Sequence, residues 1–194
     1  MNVLITGSRL PHALGVIRHF GEAGHNVIAT DTFKTSPGLS SKYTSGAIIT
    51  AAPAFETEQF IAEIKDIIRN KSIDLVVPCF EEVFYLAQHL DELSELTQVF
   101  SSSMESLSKV HNKETFTTLT EELGVPIAKT MVAKSDEELQ NAIDTFPEYF
   151  GRAAFSRGGV ELLTNTGPLA GVIDPADVHP TPKQPWILQE FVHG

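Results

Sequence analysis

The feature that most constrains this chain is the regular alternation of short apolar runs with amphipathic segments over its first hundred residues. Residues 3–6 form an apolar run that ends at Gly7, and such a run suits a strand buried on both faces in a parallel sheet. Between Leu10 and Ala23, apolar residues recur at Ala13, Leu14, Ile17, Phe20 and Ala23, in steps of three and four. This predicts a helix with Pro11 in its first turn and Gly24 at its end. Residues 27–30, 47–49, 73–77 and 98–100 read as further strands, with a polar loop at 32–45. Phe60, Ile64, Ile67 and Ile68 mark a second helix, and a third follows Glu82. Alternating strands and helices build an open, doubly wound, Rossmann-like parallel sheet with right-handed crossovers.

The pattern changes near Leu107. Residues 113–123 read as a helix with Phe116, Leu119 and Leu123 on one face, closed by Gly124 and Pro126. Ser135 and Glu138 have capping-box spacing and start another helix through Leu139 and Ile143. Beyond Phe146, aromatic and β-branched pieces at 149–154, 160–163 and 186–192 alternate with glycines, as in an antiparallel sheet. Residues 164–185 carry five prolines and little periodicity, so they are read as an ordered excursion or a flexible loop, expected to be the most mobile part and to add little core. The chain is therefore read as α/β in two parts: a parallel-sheet domain over residues 1–106 and a small α+β lobe over 107–194.

Charge narrows the partners. With 14 basic and 25 acidic residues in 194, the formal net charge is −11. Such a surface repels phosphodiester backbones and anionic lipid, so neither nucleic acid nor membrane is an expected partner. A nucleotide stays possible, because a local cluster of positive charge is enough for a few phosphates. Cys79 is the only cysteine, which excludes an intramolecular disulfide and a thiolate metal cage. No two of the seven histidines stand at the i, i+4 spacing of paired zinc ligands on a helix, and no metal ligand is assigned. No basic stretch precedes the first strand and no apolar run reaches membrane-spanning length, so a cytoplasmic protein is expected.

A strand, a glycine turn, a helix and Asp31 after the second strand invite a nicotinamide-dinucleotide reading. The turn from Gly7 to Gly15 argues against it. Bulky side chains fill the positions that must be bare for a pyrophosphate, and Pro11 lacks a donor. A turn that contacts another small ligand, or none, ranks higher. Glu81 and Glu82 follow the C-terminal end of the strand at 73–77, the edge where open α/β sheets collect ligands. With Ser8 and Arg9 they are candidate substrate contacts. Cys79 shares that edge and reads as a structural thiol.

Three segments of the second part together resemble the ATP-grasp superfamily of carboxylate–amine ligases and carboxylases, which includes biotin carboxylase and the carbamoyl-phosphate synthase large subunit. Residues 110–116, with Asn112 and Lys113, followed by Gly124-Val125-Pro126, are similar to that family's opening helix and its approach to a strand. Residues 152–160, from Arg152 through Ser156, Gly158 and Gly159, resemble its phosphate-facing strand and glycine-rich loop, with Arg152 where lysine is usual. Residues 187–194 look like its adenine hinge. Gly24-His25 and Pro78 through Glu82 resemble the domain that precedes such modules.

The resemblance implies the N-terminal part of an ATP-grasp ligase, one that binds ATP and activates a carboxylate as an acyl phosphate for attack by an amine. Its nucleotide contacts would be Lys113, Arg152, Ser156, Gly158, Gly159, Gln189, Glu190 and Val192, with adenine met by the Glu190 carbonyl and the Val192 amide. Its partners would be small-molecule carboxylates and amines. Magnesium ligands and the ribose-binding acid are expected beyond Gly194, so no catalytic residue is assigned and the chain by itself is expected to be inactive. A lobe cut at that point should leave Phe150, Phe155, Trp186, Leu188 and Phe191 bare and present edge strands near Val160 and Val192. Self-association or a missing C-terminal half is then expected. The readings left open are a non-catalytic Rossmann-like module for a metabolite or partner chain and, more distantly, a nicotinamide oxidoreductase.

Overall fold

The computed structural model describes residues 1–156 and 161–193. The chain forms two compact units, Met1–Met104 and the residues from Glu105 onward. The first runs β1 (Asn2–Ile5), α1 (Pro11–Glu22), β2 (Asn26–Asp31), β3 (Thr44–Ile49), α2 (Thr57–Lys71), β4 (Leu75–Val77), α3 (Glu82–Gln88), α4 (Leu90–Ser94) and β5 (Gln98–Val99). All five strands are parallel in the order β3-β2-β1-β4-β5. The doubly wound sheet read from the sequence is present. Side-chain alternation splits its core into two layers. Leu4, Ile28 and Val76 pack with Phe60, Ile64 and Leu86 on one side; Val3, Ile5, Val27 and Val77 pack with Ala13 and Ile17 on the other. Chain order reverses between β1 and β4, which opens a crevice at their C-terminal ends. Leu10 offers α1 no side-chain cap, and Pro11 fits the first helical position, where an amide would lack a partner.

The second unit contains α5 (Met104–His111), α6 (Lys113–Glu122), β6 (Thr130–Ala133), α7 (Asp136–Thr145), β7 (Tyr149–Ala153), β8 (Leu162–Thr164) and β9 (Trp186–Glu190). Its sheet is antiparallel, in the order β6-β9-β7-β8. Tyr149, Ala153, Trp186 and Leu188 share one sheet face and pack with Leu139 and Ala142 of α7. Ser135 caps α7 by accepting from the Glu138 amide at 3.2 Å. Glu138 in turn accepts from the Lys134 amide at 2.6 Å, one residue earlier than in the usual reciprocal box.

Four expectations for this unit change. Residues 164–185 contribute to the core after all: Val178 is buried, Ile173 packs beside it, and Asp174 caps a 3-10 turn at Pro175–Asp177. Proline removed the periodicity without removing the burial. Trp186 and Leu188 are not bare, since α7 covers them, whereas Phe155 is half exposed. The strand leading to Val192 is interior, paired on both sides, and the edges are β6 and β8; Val160 lies outside the described residues. On α6, Phe116 and Leu123 are exposed and Thr120 is the buried residue.

Candidate functional site

In the first unit, the crevice at the strand ends is a cavity of about 230 Å³. Its floor comes from the ends of β1, β2 and β3 as Thr6, Thr30 and Thr50, and its walls include Phe33, Phe80 and Tyr85. Arg9 enters from the first βα turn. The Asp31 carboxylate, fully buried, accepts from the Arg9 backbone amide at 2.7 Å and from its guanidinium at 2.8 Å. The Phe33 amide donates to the same carboxylate at 3.1 Å. The guanidinium carbon stands 5.2 Å from the Phe33 ring centroid and 5.1 Å from that of Phe80, a cation between two aromatic faces. Asp31 is thus fully engaged inside the protein, which argues against its holding a cofactor ribose.

Glu82, at the start of α3, is buried and lines the same cavity. Its Oε1 accepts from the Thr6 hydroxyl at 2.6 Å and from the amides of Cys79 and Phe80 at 3.0 and 3.1 Å. The carboxylate therefore ties the 78–82 loop to the end of β1. A side chain on Gly7 would come within 2.8 Å of this oxygen, and Gly7 sits at φ +63°. That position needs glycine on both counts. Glu81 and Arg9 also line the cavity, while Ser8 does not. The Ser8 hydroxyl is buried, 2.8 Å from that of Ser36. Burial, with Glu82 adding to it, pushes the Cys79 thiol up to about 11, which suits a structural thiol.

In the second unit, α6 begins against the end of β7. The Lys113 amide donates to the Ala154 carbonyl at 3.1 Å. The Lys113 ammonium donates to the same carbonyl at 3.2 Å and to the Ser156 carbonyl. Asn112 caps α6 by accepting from the Glu114 amide at 2.9 Å. Burial and then the neighbouring Arg152 guanidinium hold the Lys113 pKa below its ordinary value. Neither cation forms an ion pair among the described residues, and Arg152 Nε is buried with no hydrogen-bond partner. Glu114, the nearest acid in sequence, is bonded by Lys134 at 2.7 Å. Two like charges near each other, with no acid paired to either among the described residues, are chemically suited to an anion.

Arg152 is opposite Ile187, and Phe150 opposite Gln189, so these four side chains share the sheet face away from α7. The Gln189 amide donates to the Thr130 hydroxyl at 3.0 Å. The Glu190 side chain is turned to the other face, where its carboxylate accepts from the Lys129 amide at 3.0 Å. Val192 is exposed beyond the strand end. The Ser156 hydroxyl donates to the Ala153 carbonyl at 2.9 Å. The structure thus brings Lys113, Arg152 and Ser156 together and sets Gln189 on the Arg152 face. Glu190 is three residues further along β9 than the Arg152 partner, roughly 10 Å away; Gly158 and Gly159 lie outside the described residues. Among the described residues no cluster of three His, Cys, Asp or Glu side chains is placed to hold a metal ion. No helix among them is long and apolar enough to cross a membrane.

Thr30, Phe33 and Phe80 are cavity residues the sequence reading did not single out. The one available signal was position: Thr30 closes a buried strand, and the two aromatics stand in the loops after β2 and β4.

No protein-family model matches the sequence, and no curated protein matches it. Solved structures do. The chain superposes on an ADP complex of N5-carboxyaminoimidazole ribonucleotide synthetase with TM-score 0.68 and 18% identity, over 98% of this chain and 46% of that one. An L-amino acid ligase from Bacillus licheniformis gives TM-score 0.69 at 13% identity, over 100% and 47%. Biotin carboxylase from Campylobacter jejuni, in complex with β,γ-ATP, gives 0.69 at 15%, over 98% and 45%. The chain spans less than half the length of each of these proteins. Over that span it shares the fold of these enzymes.

Proposed function

We propose that the chain is the N-terminal part of an ATP-grasp ligase. Residues 1–106 form its substrate domain and 107–194 the first subdomain of its ATP-binding domain. The observation that carries this reading is the pairing of Lys113 and Arg152 with no acid beside them, on the sheet face away from α7, where Arg152 Nε is buried and has no hydrogen-bond partner among the described residues. ATP fits these residues. The Lys113 ammonium and Arg152 guanidinium would hold its phosphates, one as a point charge and the other as a fork. Ser156, Gly158 and Gly159 would form the phosphate-covering loop, its start shaped by the Ser156 bond to Ala153. Gln189, the Glu190 carbonyl and the Val192 amide would meet adenine along β9.

Bound ATP would supply the phosphoryl group that turns a carboxylate into an acyl phosphate with release of ADP, and attack by an amine would form the amide with release of inorganic phosphate. The three neighbours support this class, each within the limits of its name. Arg9, Glu81 and Glu82 would contact the substrate, and Ser8 would act through the loop it holds to Ser36. Magnesium takes hard oxygen ligands, and the described residues do not form a set that fits it. Its ligands would belong to the portion of the neighbours' fold that this chain does not span, as would any C-terminal half completing the cleft. A cytoplasmic location goes with this reading.

The test is protection of Lys113. Its lowered pKa raises its free-amine fraction, so it should react early with an acylating reagent. ATP should slow modification of Lys113 selectively, and AMP should not. Equal labelling at millimolar ATP would overturn the phosphate assignment.

A further inference from the structure

We infer that the cavity of the first unit takes a small, unphosphorylated ligand carrying an amine on an apolar body. This rests on reading the unit as a substrate domain and narrows the substrate it would hold. The first observation is an unmet polar group. Thr30 lines the cavity, and its Oγ1 is buried with no hydrogen-bond partner among the described residues. A buried hydroxyl without a partner is destabilising unless something supplies one. Glu82 lines the same cavity, and all three of its bonds go to Oε1. Oε2 has none among the described residues and can accept from an ammonium.

The second observation is that several of the groups a phosphate would use are already engaged. Anions bind open α/β sheets at the amides of the first turn and at helix starts. Here the Ser8 amide donates to the Thr30 carbonyl, the Arg9 amide to Asp31 and the Leu10 amide to the Gly7 carbonyl. Pro11 has no amide. The amides of Cys79 and Phe80, before α3, donate to Glu82. Among the described residues Arg9 is the only basic side chain in the lining, and Asp31 already holds it. With that pair cancelling, Glu82 adds a negative charge to the lining.

The third observation is size and wall chemistry. The cavity, about 230 Å³, exceeds the roughly 150 Å³ that holds a benzene ring in an engineered apolar cavity. Phe33 and Phe55 stand exposed at its mouth, and Phe60 and Phe80 line it further in. Exposed aromatic rings beside a cavity gain by covering an apolar ligand. An amine on one aromatic ring satisfies the hydroxyl, the carboxylate and the walls together.

Phenethylamine, 3-phenylpropionate and ribose 5-phosphate separate these requirements when titrated into the full chain, without nucleotide, by saturation-transfer NMR and calorimetry. Phenethylamine should bind more tightly than either acid, by about tenfold. Thr30→Val should weaken phenethylamine while leaving the fold as stable or more so, because it removes an orphaned hydroxyl. A purely structural role for Thr30 would not produce that combination. Glu82→Gln should abolish the preference for the amine over 3-phenylpropionate. Equal or tighter binding of either acid, no phenethylamine binding at millimolar concentration, or unchanged affinity in Thr30→Val would overturn the inference. Lys113 protection by ATP is read in the other unit, so failure here and failure of the ligase reading are distinguishable.

Discussion

Arg9 grips Asp31 twice, with its backbone amide on Oδ2 at 2.7 Å and its guanidinium on Oδ1 at 2.8 Å. One carboxylate thereby fixes both the path of the first turn and the side chain that enters the cavity. Removing it strands a partly buried cation and frees two amides. Asp31→Ala should cost about 3 kcal/mol of stability, read as a lower denaturant midpoint at unchanged m-value. A loss within experimental error would show that the grip is decorative.

Two glycines with the same backbone sign separate strain from crowding. Gly24 sits at φ +81° with open space around its missing side chain. Gly24→Ala should lose only the left-handed penalty, about 1 kcal/mol. Gly7 sits at φ +63° and faces Glu82 Oε1 at 2.8 Å. Gly7→Ala should lose about 3 kcal/mol, since crowding adds to strain. Thermal unfolding of both variants checks the order, and a reversed order would contradict the placement of Glu82.

Cys79 gives a pH signature. Its thiol is raised from an ordinary 9.0 to about 11 by burial and by Glu82. The folded state keeps a proton that the unfolded state releases first. The stability it contributes is therefore full below pH 9 and falls as pH rises towards 11. Iodoacetamide alkylation should climb with an apparent pKa near 11 in the native protein and near 9 in denaturant. A native profile centred near 9 would show an open thiol.

The second unit should behave as a lobe with its own core. Leu188 is fully buried against α7, so Leu188→Ala should cost about 3 kcal/mol. Phe155 is half exposed, and Phe155→Ala should cost under about 1 kcal/mol. Amide exchange should also protect Val178 well above its exposed neighbours. Equal costs for the two substitutions would mean that the sheet is packed the other way round.

The parallel sheet was legible because strands buried on both faces leave unbroken apolar runs, and the helix at residues 11–22 because its apolar spacing is strict. Burial was less legible. Phe116 and Leu123 fall at helical spacing yet are exposed, since periodicity identifies a face without saying what covers it. Val178 lay hidden among prolines, which leave no period to read. Glu81 and Glu82 were singled out by their place after a strand, and Lys113 and Arg152 by motif order. Asp31 looked like a ribose ligand because no rule of spacing reveals a partner 22 residues away. Thr30 carried only its place at the end of a buried strand, since an unmet hydroxyl is a property of packing.

The most direct test of the account is calorimetric titration of ATP and AMP into the full chain and into Lys113→Met and Arg152→Met. ATP should bind the wild-type chain more weakly than micromolar, since the chain spans less than half the length of the neighbours. Each substitution should weaken it by about tenfold, the loss of one charged phosphate contact, and AMP should be affected little. Equal affinity for ATP and AMP, or ATP affinity indifferent to both substitutions, would contradict the claim that these two cations hold nucleotide phosphates.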